Sequence, residues 1–457
     1  MRGTVRDGRF DGRVTPRRSS GLLEGMKRWL KDRQHAAGLR QALDLTQLAY
    51  GAVRRARARR AGVDAPAAKG GWPVRIVPMP APRPITRAEK RALHRAARTQ
   101  STSFFDGVAV RRFEAELAQQ WGASHALATS SGTAALHTSM MALGIGPGDE
   151  VIVPVMTYVA TALAVMQAGA TPRFVDAHPE TCNIDPEGVR RTVGSRTRAI
   201  IPVHIGGVPC DMDALRAIAD EHGLAIVEDA AHAHGSTLDG RFMGTLGELG
   251  CFSFGSPKSL TTGEGGAILT SDDELFRRAR MAMNLGECAP DGTPSMQIDH
   301  FSPEMRLDYR MVGWNYRMSV AQASLGLGQL ARFDRIRARR AANGAYLRES
   351  LADVPYVSVQ RVPEGADVCY YSFPMTLDPD APLSRGELLE GLAREKIDFR
   401  LWSNLPLASH EVFRQPGDFP VAKRICEGFV GLRVDPALGE REMEATVDAI
   451  RRLVTWS

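Results

Sequence analysis

The sequence predicts an α/β protein with a large, mostly parallel β-sheet that is covered by helices on both faces. Short apolar runs alternate with helix-like segments between residues 125 and 270, as expected for strands joined by crossover helices. Several of these runs end in glycine or polar residues, and ligands bind at the carboxyl ends of parallel strands. A chain of 457 residues is also long enough for a second domain.

The strand candidates are apolar runs of four or five residues, each bounded by turn-forming or polar residues. Helices are predicted in several of the intervals between them, where apolar residues recur at helical spacing. The predicted strands are His125–Thr129, Val151–Pro154, Thr171–Val175, Ala199–Val203, Ala225–Glu228, Gly250–Phe254 and Ala267–Thr270, and the helices are Thr133–Leu143, Ala160–Gln167 and Met212–Glu221.

Helical patterns flank this region on both sides. Thr86 opens a predicted helix that runs to about Arg98, and a second helix at Val110–Trp121 is ended by Gly122. One long helix is predicted from Ser319 to Asn343, where late arginines and Asn343-Gly344 are typical stop signals. A smaller α/β domain follows, with strands at Val357–Val359 and Tyr370–Leu377 and helices at Ser384–Glu395 and Glu440–Leu453.

The composition divides the chain into four parts. Residues 1–63 form a basic extension, residues 64–84 a Pro/Gly-rich linker, residues 85–335 a large domain and residues 336–457 a small C-terminal domain. Residues 1–75 hold 18 Lys and Arg against 6 Asp and Glu, which leaves 40 basic and 46 acidic residues for the rest. Because the globular part is mildly acidic, the basic pI does not indicate a nucleic-acid partner.

The extension allows more than one interpretation. Leu22, Leu23, Met26, Trp29 and Leu30 share one face of a helix that carries basic residues around it. Residues 1–60 could lie on an anionic membrane surface or dock on a partner. A solvated tail without a specific role is the plainer alternative.

Cysteine usage and hydropathy indicate a cytoplasmic protein. The six cysteines are scattered, with neither a CxxC motif nor a His-Cys cluster, which argues against a zinc site and against a secreted disulfide framework. Residues 151–170 carry no charge, but Pro154 interrupts them and polar residues are distributed along them. A buried strand followed by a buried helix explains this segment better than a membrane span does.

Two predicted strand ends carry residues that suit a flat, phosphorylated ligand. Thr129–Leu136 (TSSGTAAL) puts small hydroxylated residues and a glycine at a helix start, where free N–H groups attract an anion, although an ordinary N-cap looks the same. Tyr158 follows another strand and could stack on a planar ring, or it could be a core tyrosine.

Two further strand ends carry ionisable groups. Glu228 and Asp229 end an apolar run, with His232 nearby, and a buried carboxylate needs a partner such as a protonated pyridine nitrogen. The alternative is a surface carboxylate on a loop. Ser253 could bind phosphate, and the Lys258 amine could form an imine, although a lone loop lysine is usually a solvated charge.

The order of phosphate loop, aromatic residue, acid and lysine resembles the DegT/DnrJ/StrS aminotransferases, which are pyridoxal-phosphate (PLP) enzymes of fold type I. The motifs that carry the resemblance cover roughly residues 100–457. They are SSGTAAL (130–136), VPVMTYVATALA (153–164), PVHIGGVPCDMDAL (202–215), VEDAAHAHG (227–235), CFSFGSPKSLTTGEGGAILT (251–270) and GWNYRMS (313–319).

The resemblance implies a fold-type-I architecture with a seven-stranded sheet, and it implies a role for each matching residue. Lys258 would be the Schiff-base lysine, Asp229 the partner of the pyridinium nitrogen, Tyr158 the stacking residue, and His232 a neighbour of the ring hydroxyl. Gly132, Thr133 and Ser253 would hold the phosphate, and Asn315 would reach it from the neighbouring subunit of a homodimer. No metal is implied.

The resemblance also implies transamination, with glutamate or glutamine as donor and a nucleotide-linked keto sugar or a cyclitol ketone as acceptor. Some relatives that have histidine in place of the lysine catalyse dehydration, so Lys258 favours amino transfer. Two features depart from the common pattern, namely the turn Gly255-Ser256-Pro257 and the long insertion Glu287–Asp308. The alternative function is a regulatory or scaffold protein that binds PLP or sugar and docks through its basic tail.

Overall fold

The computed structural model describes residues 47, 49–50, 65–69, 73–82, 85–98, 108–294, 306–401, 405–413, 415 and 417–456. The chain separates into two compact units, residues 1–64 with 75–77 and residues 65–74 with 78–457. In the first unit the backbone N–H of Ile76 donates a hydrogen bond to the Gln47 side chain. The predicted tail helix around Trp29, and with it the question of membrane contact, lies outside the described residues.

A seven-stranded sheet forms the centre of the second unit. Its strands lie in the spatial order β1-β7-β6-β5-β4-β2-β3. Six of these strands run in the same direction and β7 runs in the opposite direction, so the predicted mostly parallel sheet is confirmed. The strands are β1 (His125–Thr129), β2 (Glu150–Pro154), β3 (Thr171–Val175), β4 (Thr197–Ile200), β5 (Ala225–Asp229), β6 (Leu249–Ser253) and β7 (Gly266–Thr270).

Helices cover both faces of this sheet because alternate residues of a strand point to opposite sides. In β6, for example, Cys251 packs into one buried cluster and Phe252 into another that includes Trp121. The helices of this region are α1 (Arg87–Arg98), α2 (Val108–Trp121), α3 (Gly132–Ala142), α4 (Val159–Gln167), α5 (Pro186–Thr192), α6 (Met212–His222) and α7 (Asp273–Ala282).

The carboxyl ends of β1, β2, β5 and β6 lie at the same edge of the sheet because these strands are mutually parallel. This edge brings together the residues that follow Thr129, Pro154, Asp229 and Ser253. Ser131 caps α3 by accepting a hydrogen bond from the Ala134 N–H at 3.1 Å, as expected of a serine at a helix N-terminus. The fold therefore places the predicted ligand-binding residues at one edge.

A second sheet is antiparallel, with its strands in the order β8-β9-β11-β10. Helices α9, α10 and α12 contribute apolar residues to the same core. The elements are α8 (Val320–Leu330), α9 (Phe333–Leu351), β8 (Val357–Val359), β9 (Phe373–Leu377), α10 (Arg385–Arg394), β10 (Phe399–Arg400), α11 (Pro420–Gly428), β11 (Phe429–Leu432) and α12 (Glu440–Thr455).

The prediction of one long helix at Ser319–Asn343 is wrong, because α8 ends at Leu330 and α9 begins at Phe333. Asn343 and Gly344 do not stop α9 either. The Asn343 amide donates hydrogen bonds to the Val434 and Leu438 carbonyls, so a buried packing contact holds this residue inside the helix. Tertiary contacts here override the local stop signal.

Other boundaries also differ from the predictions. β4 is Thr197–Ile200 and ends three residues before Val203, and β9 begins at Phe373 rather than at Tyr370. β10, α11 and β11 were not predicted. The division into domains at residue 335 stays a prediction.

The Pro/Gly-rich linker is in contact with the second sheet's helices. The backbone N–H of Ala67 donates to Glu395 at 2.8 Å, and the N–H of Val74 donates to the other oxygen of the same carboxylate at 2.5 Å. Val74 and Met79 are buried in the apolar core of this region. Ala67, Val74 and Met79 of the linker are thus in contact with the folded chain.

No helix in the described part of the chain has the length and apolar character needed to cross a membrane.

Candidate active site

A cavity of about 900 Å³ opens at the carboxyl edge of the main sheet. Its walls combine residues from α3, α4, β5 and β6 with residues from the second sheet and the loop after β10. The polar residues among its lining are Ser131, Thr133, Thr157, Tyr158, Asp229, His232, Ser253, Lys258, Glu264, Tyr371, Arg400 and His410.

Lys258 reaches this cavity from a tight turn after β6. Its backbone N–H donates to the Gly255 carbonyl at 2.9 Å, and Gly265 closes the loop at φ +155°, where a Cβ would lie 2.4 Å from the Thr262 hydroxyl. Burial lowers the pKa of the Lys258 amine to about 8; the Asp229 carboxylate opposes this effect and the Arg400 guanidinium adds to it. About a tenth of the amine is therefore uncharged at pH 7, far more than for an ordinary lysine, and nucleophilic chemistry uses this uncharged form.

Asp229 is the last residue of β5 and is buried. The Thr161 hydroxyl donates to Oδ2 at 2.8 Å, and the Ala231 N–H donates to Oδ1 at 3.2 Å. Burial raises the pKa of Asp229, although Thr161, Ala231 and the Lys258 charge all oppose the rise. A cationic group in the cavity would stabilise the ionised carboxylate.

Glu228, one residue earlier, lies on the opposite side of the strand and faces away from the cavity. Its carboxylate is fully buried and accepts hydrogen bonds from the ring of His204 and from the N–H groups of Gly244, Leu246 and Gly247. The His204 Nδ1 accepts the Cys210 N–H, so the ring donates through Nε2. Burial alone would raise the pKa of Glu228, but these donors outweigh it and hold the pKa below its usual value. Glu228 thus has a structural role.

Gly132 and Ser253, two of the predicted phosphate ligands, are in direct contact. A Cβ on Gly132 would lie 2.7 Å from the Cβ of Ser253, so this position accepts only glycine without a shift. Gly132 also begins α3, whose first N–H groups have no partners within the helix. Together with Thr133 these groups form a concave site suited to an anion.

Tyr158 and His232 also line the cavity. Tyr158 precedes α4, and its side chain is 72% exposed, so it is not the core tyrosine of the plainer alternative. His232 stacks on Tyr371, with ring centroids 4.3 Å apart and planes 3° from parallel. Burial, with the charges of Lys258 and Arg400, holds the pKa of His232 well below its usual value, so the ring is neutral.

Asn315 is not among the residues that line the cavity. It is exposed and pairs through its backbone with Asn284, while the neighbouring Tyr316 carbonyl accepts the Ser130 N–H at 2.7 Å. The GWNYRMS segment is thereby anchored beside the start of α3. The predicted contact of Asn315 across a subunit boundary stays a prediction.

The sequence interpretation missed Thr161, Tyr371 and Arg400. Thr161 could have been found, because it lies in the motif VPVMTYVATALA (153–164), four residues after Thr157. In the structure the hydroxyls of these two threonines are 3.0 Å apart. Tyr371 and Arg400 come from the second sheet and its edges, more than 100 residues away from Lys258. No local pattern marks them, since only the tertiary fold brings them to the cavity.

Fold and site together define a class of protein. A parallel sheet with a lysine amine of lowered pKa, a buried carboxylate and an anion cradle around one cavity is suited to amine chemistry on a planar, phosphorylated cofactor. Within the described ranges no group of His, Cys, Asp and Glu side chains could hold a metal ion.

The chain belongs to the DegT/DnrJ/EryC1/StrS aminotransferase family, whose pattern it matches over residues 85–451. This finding confirms the family resemblance that the motifs predicted. The structural neighbours are aminotransferases of the same family, in agreement with the predicted architecture.

Relatives with known names agree with this assignment. The L-glutamine:2-deoxy-scyllo-inosose aminotransferase of Micromonospora echinospora is 35% identical, over 85% of this chain and 91% of that protein. The dTDP-3-amino-3,4,6-trideoxy-alpha-D-glucose transaminase of Streptomyces venezuelae is 35% identical, over 76% of this chain and 87% of its own. The crystal structure of S. venezuelae DesV in complex with a ketimine intermediate superposes with a TM-score of 0.73 at 34% identity, covering 81% of this chain and 95% of DesV.

These relatives are aminotransferases that act on a sugar or a cyclitol. The family assignment therefore supports a transferase and does not favour the alternative of a regulatory or scaffold protein.

Proposed function

We propose that this chain is a PLP-dependent aminotransferase that transfers an amino group from glutamate or glutamine to a ketone of a nucleotide-linked sugar or a cyclitol. The observation that carries the proposal is the placement of Lys258 and Asp229 around one cavity, beside the glycine-lined start of α3. The relatives' names supply the substrate class, because one acts on a dTDP-linked sugar and another on an inosose.

The residues present fit the cofactor. Asp229 receives two hydrogen bonds, one at each oxygen, and a carboxylate has capacity for more, so it can accept a third donor from a pyridine nitrogen. Gly132, Thr133 and Ser253 offer N–H and hydroxyl donors to a phosphate, and Tyr158 exposes a flat ring at the same cavity. His232 would lie beside the ring hydroxyl as a neutral imidazole.

When bound, PLP supplies an aldehyde that captures an amine and a protonated ring that withdraws electrons from the reacting carbon. Asp229 would keep the proton on the ring nitrogen. The Lys258 amine would take the proton from the donor Cα and deliver it to the former aldehyde carbon, and it would run these steps in reverse on the acceptor. A pKa of about 8 suits a group that must both accept and release a proton near neutral pH.

Spectroscopy and covalent trapping test the cofactor and its lysine. Addition of PLP to the purified protein is expected to produce a visible absorption band, and borohydride reduction should leave an adduct on the peptide that contains Lys258. Lys258→Ala should abolish both signals, whereas Lys423→Ala, on an exposed turn of α11, should keep them. A folded protein that binds no PLP at Lys258 would refute the proposal.

Half-reactions separate the donor from the acceptor. Glutamate or glutamine should convert the bound cofactor to its amine form, and the better of the two identifies the donor. The amine form can then be tested against keto-sugar nucleotides and inososes, because return of the aldehyde band reports a competent acceptor. A protein that binds PLP but shows no half-reaction with either donor would instead fit the scaffold alternative.

We also propose that two copies of the chain share each active site. This rests on the exposed position of Asn315 away from its own cavity, together with nearby exposed apolar side chains such as Tyr309 and Val312, which are 62% and 76% exposed. Mixing inactive Lys258→Ala and Asn315→Ala chains tests it. A shared site predicts that mixed dimers regain activity at one of their two sites, whereas independent sites predict no recovery.

The proposed reaction takes place in the cytoplasm. All six cysteines are buried and free, which suits a reducing compartment. Detection of activity in the soluble cytoplasmic fraction of the native host, and its absence from membrane and secreted fractions, would test this placement.

A further inference from the structure

The ring of Tyr371 contacts three side chains of the active site at once. The Lys258 Nζ lies 4.6 Å from its centroid, and the Arg400 guanidinium carbon lies 5.1 Å from it. His232 is stacked on the same ring at 4.3 Å. Tyr371 is thus the contact that Lys258, Arg400 and His232 have in common.

The backbone around Tyr371 is held firmly in place. Its N–H donates to the Gly206 carbonyl at 2.9 Å, and the buried Arg340 donates to the carbonyls of Tyr370 and Tyr371 at 2.9 and 3.0 Å. Gly206 is itself packed against Pro374, where a Cβ would lie 2.4 Å from the proline ring. A side chain on such a support is suited to hold others in position.

The aromatic face opposes the two effects that destabilise the charged amine of Lys258. Burial and the Arg400 guanidinium both disfavour the ammonium form, and Asp229 favours it. His232 and His234 are neutral, and Glu264 lines the same cavity from the loop after Lys258. An aromatic face attracts a cation that lies within about 6 Å of its centroid.

We propose that Tyr371 is a positioning residue, whose ring face binds the ammonium form of Lys258 while its stacking fixes the plane of the His232 ring. The contact limits where the Lys258 amine lies within the cavity. It also stabilises the protonated amine against the effect of burial. The importance of this arrangement for catalysis rests on the proposed function, but the contact itself can be measured without cofactor.

The measurement is the pH dependence of Lys258 acetylation in full-length, cofactor-free protein. Trace acetic anhydride is applied between pH 6 and pH 10, and the Lys258 peptide is quantified by mass spectrometry, with the exposed Lys423 as internal reference for the reagent. Wild-type protein should show a midpoint near 8. Tyr371→Leu should lower the midpoint by roughly 0.5 to 1 pH unit, the size of a partly buried cation–π contact. Tyr371→Phe keeps the ring face and removes only the hydroxyl, which accepts a hydrogen bond from Arg400 Nη1 at 3.5 Å, so its midpoint should stay closer to the wild-type value than that of Tyr371→Leu.

Arg400→Gln supplies a change of opposite sign, because removal of a like charge should raise the Lys258 midpoint. If the two substitutions merely loosened the fold, they would not shift the Lys258 midpoint in opposite directions, down in Tyr371→Leu and up in Arg400→Gln. Fluorinated phenylalanines at position 371 keep the shape of the ring and weaken the negative potential of its face, so the midpoint should fall stepwise with fluorine number. This series tests the contact even if Tyr371→Leu does not fold.

The outcomes separate this inference from the proposed function. A Lys258 midpoint that does not respond to Tyr371→Leu or to fluorination would overturn the role of Tyr371, even in a protein that binds PLP and transfers amino groups. Midpoints that shift as expected would support that role, even in a protein that fails to bind PLP. In the active enzyme, Tyr371→Leu should also move the low-pH limb of the kcat profile, which a purely structural role would not do.

Discussion

The Thr161 hydroxyl donates a hydrogen bond of 2.8 Å to Oδ2 of Asp229 and is itself 3.0 Å from the Thr157 hydroxyl. Because Thr161 lies in the first turn of α4 and Thr157 two residues before this helix, the start of α4 orients the carboxylate at the end of β5. The second oxygen is held by the Ala231 N–H, so both oxygens have a defined direction before any ligand binds.

Thr161→Val should weaken PLP binding about tenfold or more, because a hydrogen bond to a charged group contributes roughly 1.5–3 kcal/mol. Valine keeps the volume of threonine but removes the donor and leaves Asp229 harder to ionise. Titration of the visible PLP band measures the affinity. Thr161→Ser, which keeps the hydroxyl, serves as the matched control, and equal affinities of all three proteins would contradict the role of this hydrogen bond.

Gly132→Ala should reduce PLP affinity, since the new Cβ would approach the Ser253 Cβ to 2.7 Å. Overpacking of this kind costs roughly 1–3 kcal/mol and would move the two phosphate-binding segments apart. Gly194→Ala is the comparison, because no atom lies within 4 Å of the position that its methyl group would take. If both variants bound PLP like the wild type, the tight contact would not be needed for the anion site.

Glu228→Gln should lower the free energy of unfolding by roughly 3 kcal/mol, because a buried amide cannot accept all four hydrogen bonds that the carboxylate receives from His204 and from the N–H groups of Gly244, Leu246 and Gly247. Urea denaturation measures the loss. Glu221→Gln, in an exposed pair with Arg190, is the control and should leave the unfolding curve in place.

The same variant tests the pH dependence of stability. The folded-state pKa of Glu228 lies below its ordinary value of 4.5, so its stabilising contribution is present above pH 4.5 and is lost as the pH falls through the folded-state pKa. Glu228→Gln should therefore lose less stability than the wild type between pH 4.5 and more acidic conditions. Parallel curves for the two proteins in this range would contradict the assignment of a lowered pKa.

Gly344→Ala should destabilise the fold by roughly 1–3 kcal/mol, although alanine favours a helix by about 1 kcal/mol over glycine. The Cβ would lie 2.1 Å from the Tyr370 ring, so α9 cannot approach this ring with any larger residue. Gly386→Ala in α10 meets nothing closer than 3.8 Å and should be neutral or stabilising. Thermal unfolding compares the pair, and stabilisation by both changes would show that the contact at Gly344 is not tight.

The local sequence pattern was sufficient to predict the bounds of a strand where apolar residues mark the buried positions. The segments His125–Thr129 and Thr171–Val175 form strands with the predicted bounds, because each contains a short run of buried apolar residues, Ala126–Ala128 in one and Phe174–Val175 in the other. It was insufficient at Asn343 and Gly344, where residues that usually end a helix serve as packing contacts inside one. The break between α8 and α9 at residues 331–332 likewise had no glycine or proline to mark it.

The sequence by itself determined the family, the parallel sheet and the residues at the strand ends, because these depend on the spacing of residue types along the chain. The family resemblance had pointed to Asp229, but the role of the adjacent Glu228 came only from the tertiary structure, since the alternation along β5 sends Asp229 to Thr161 and Glu228 to His204. The tertiary structure also decided that Tyr371 and Arg400 meet Lys258, because contacts between residues so far apart in the chain arise only when the second sheet packs beside the first.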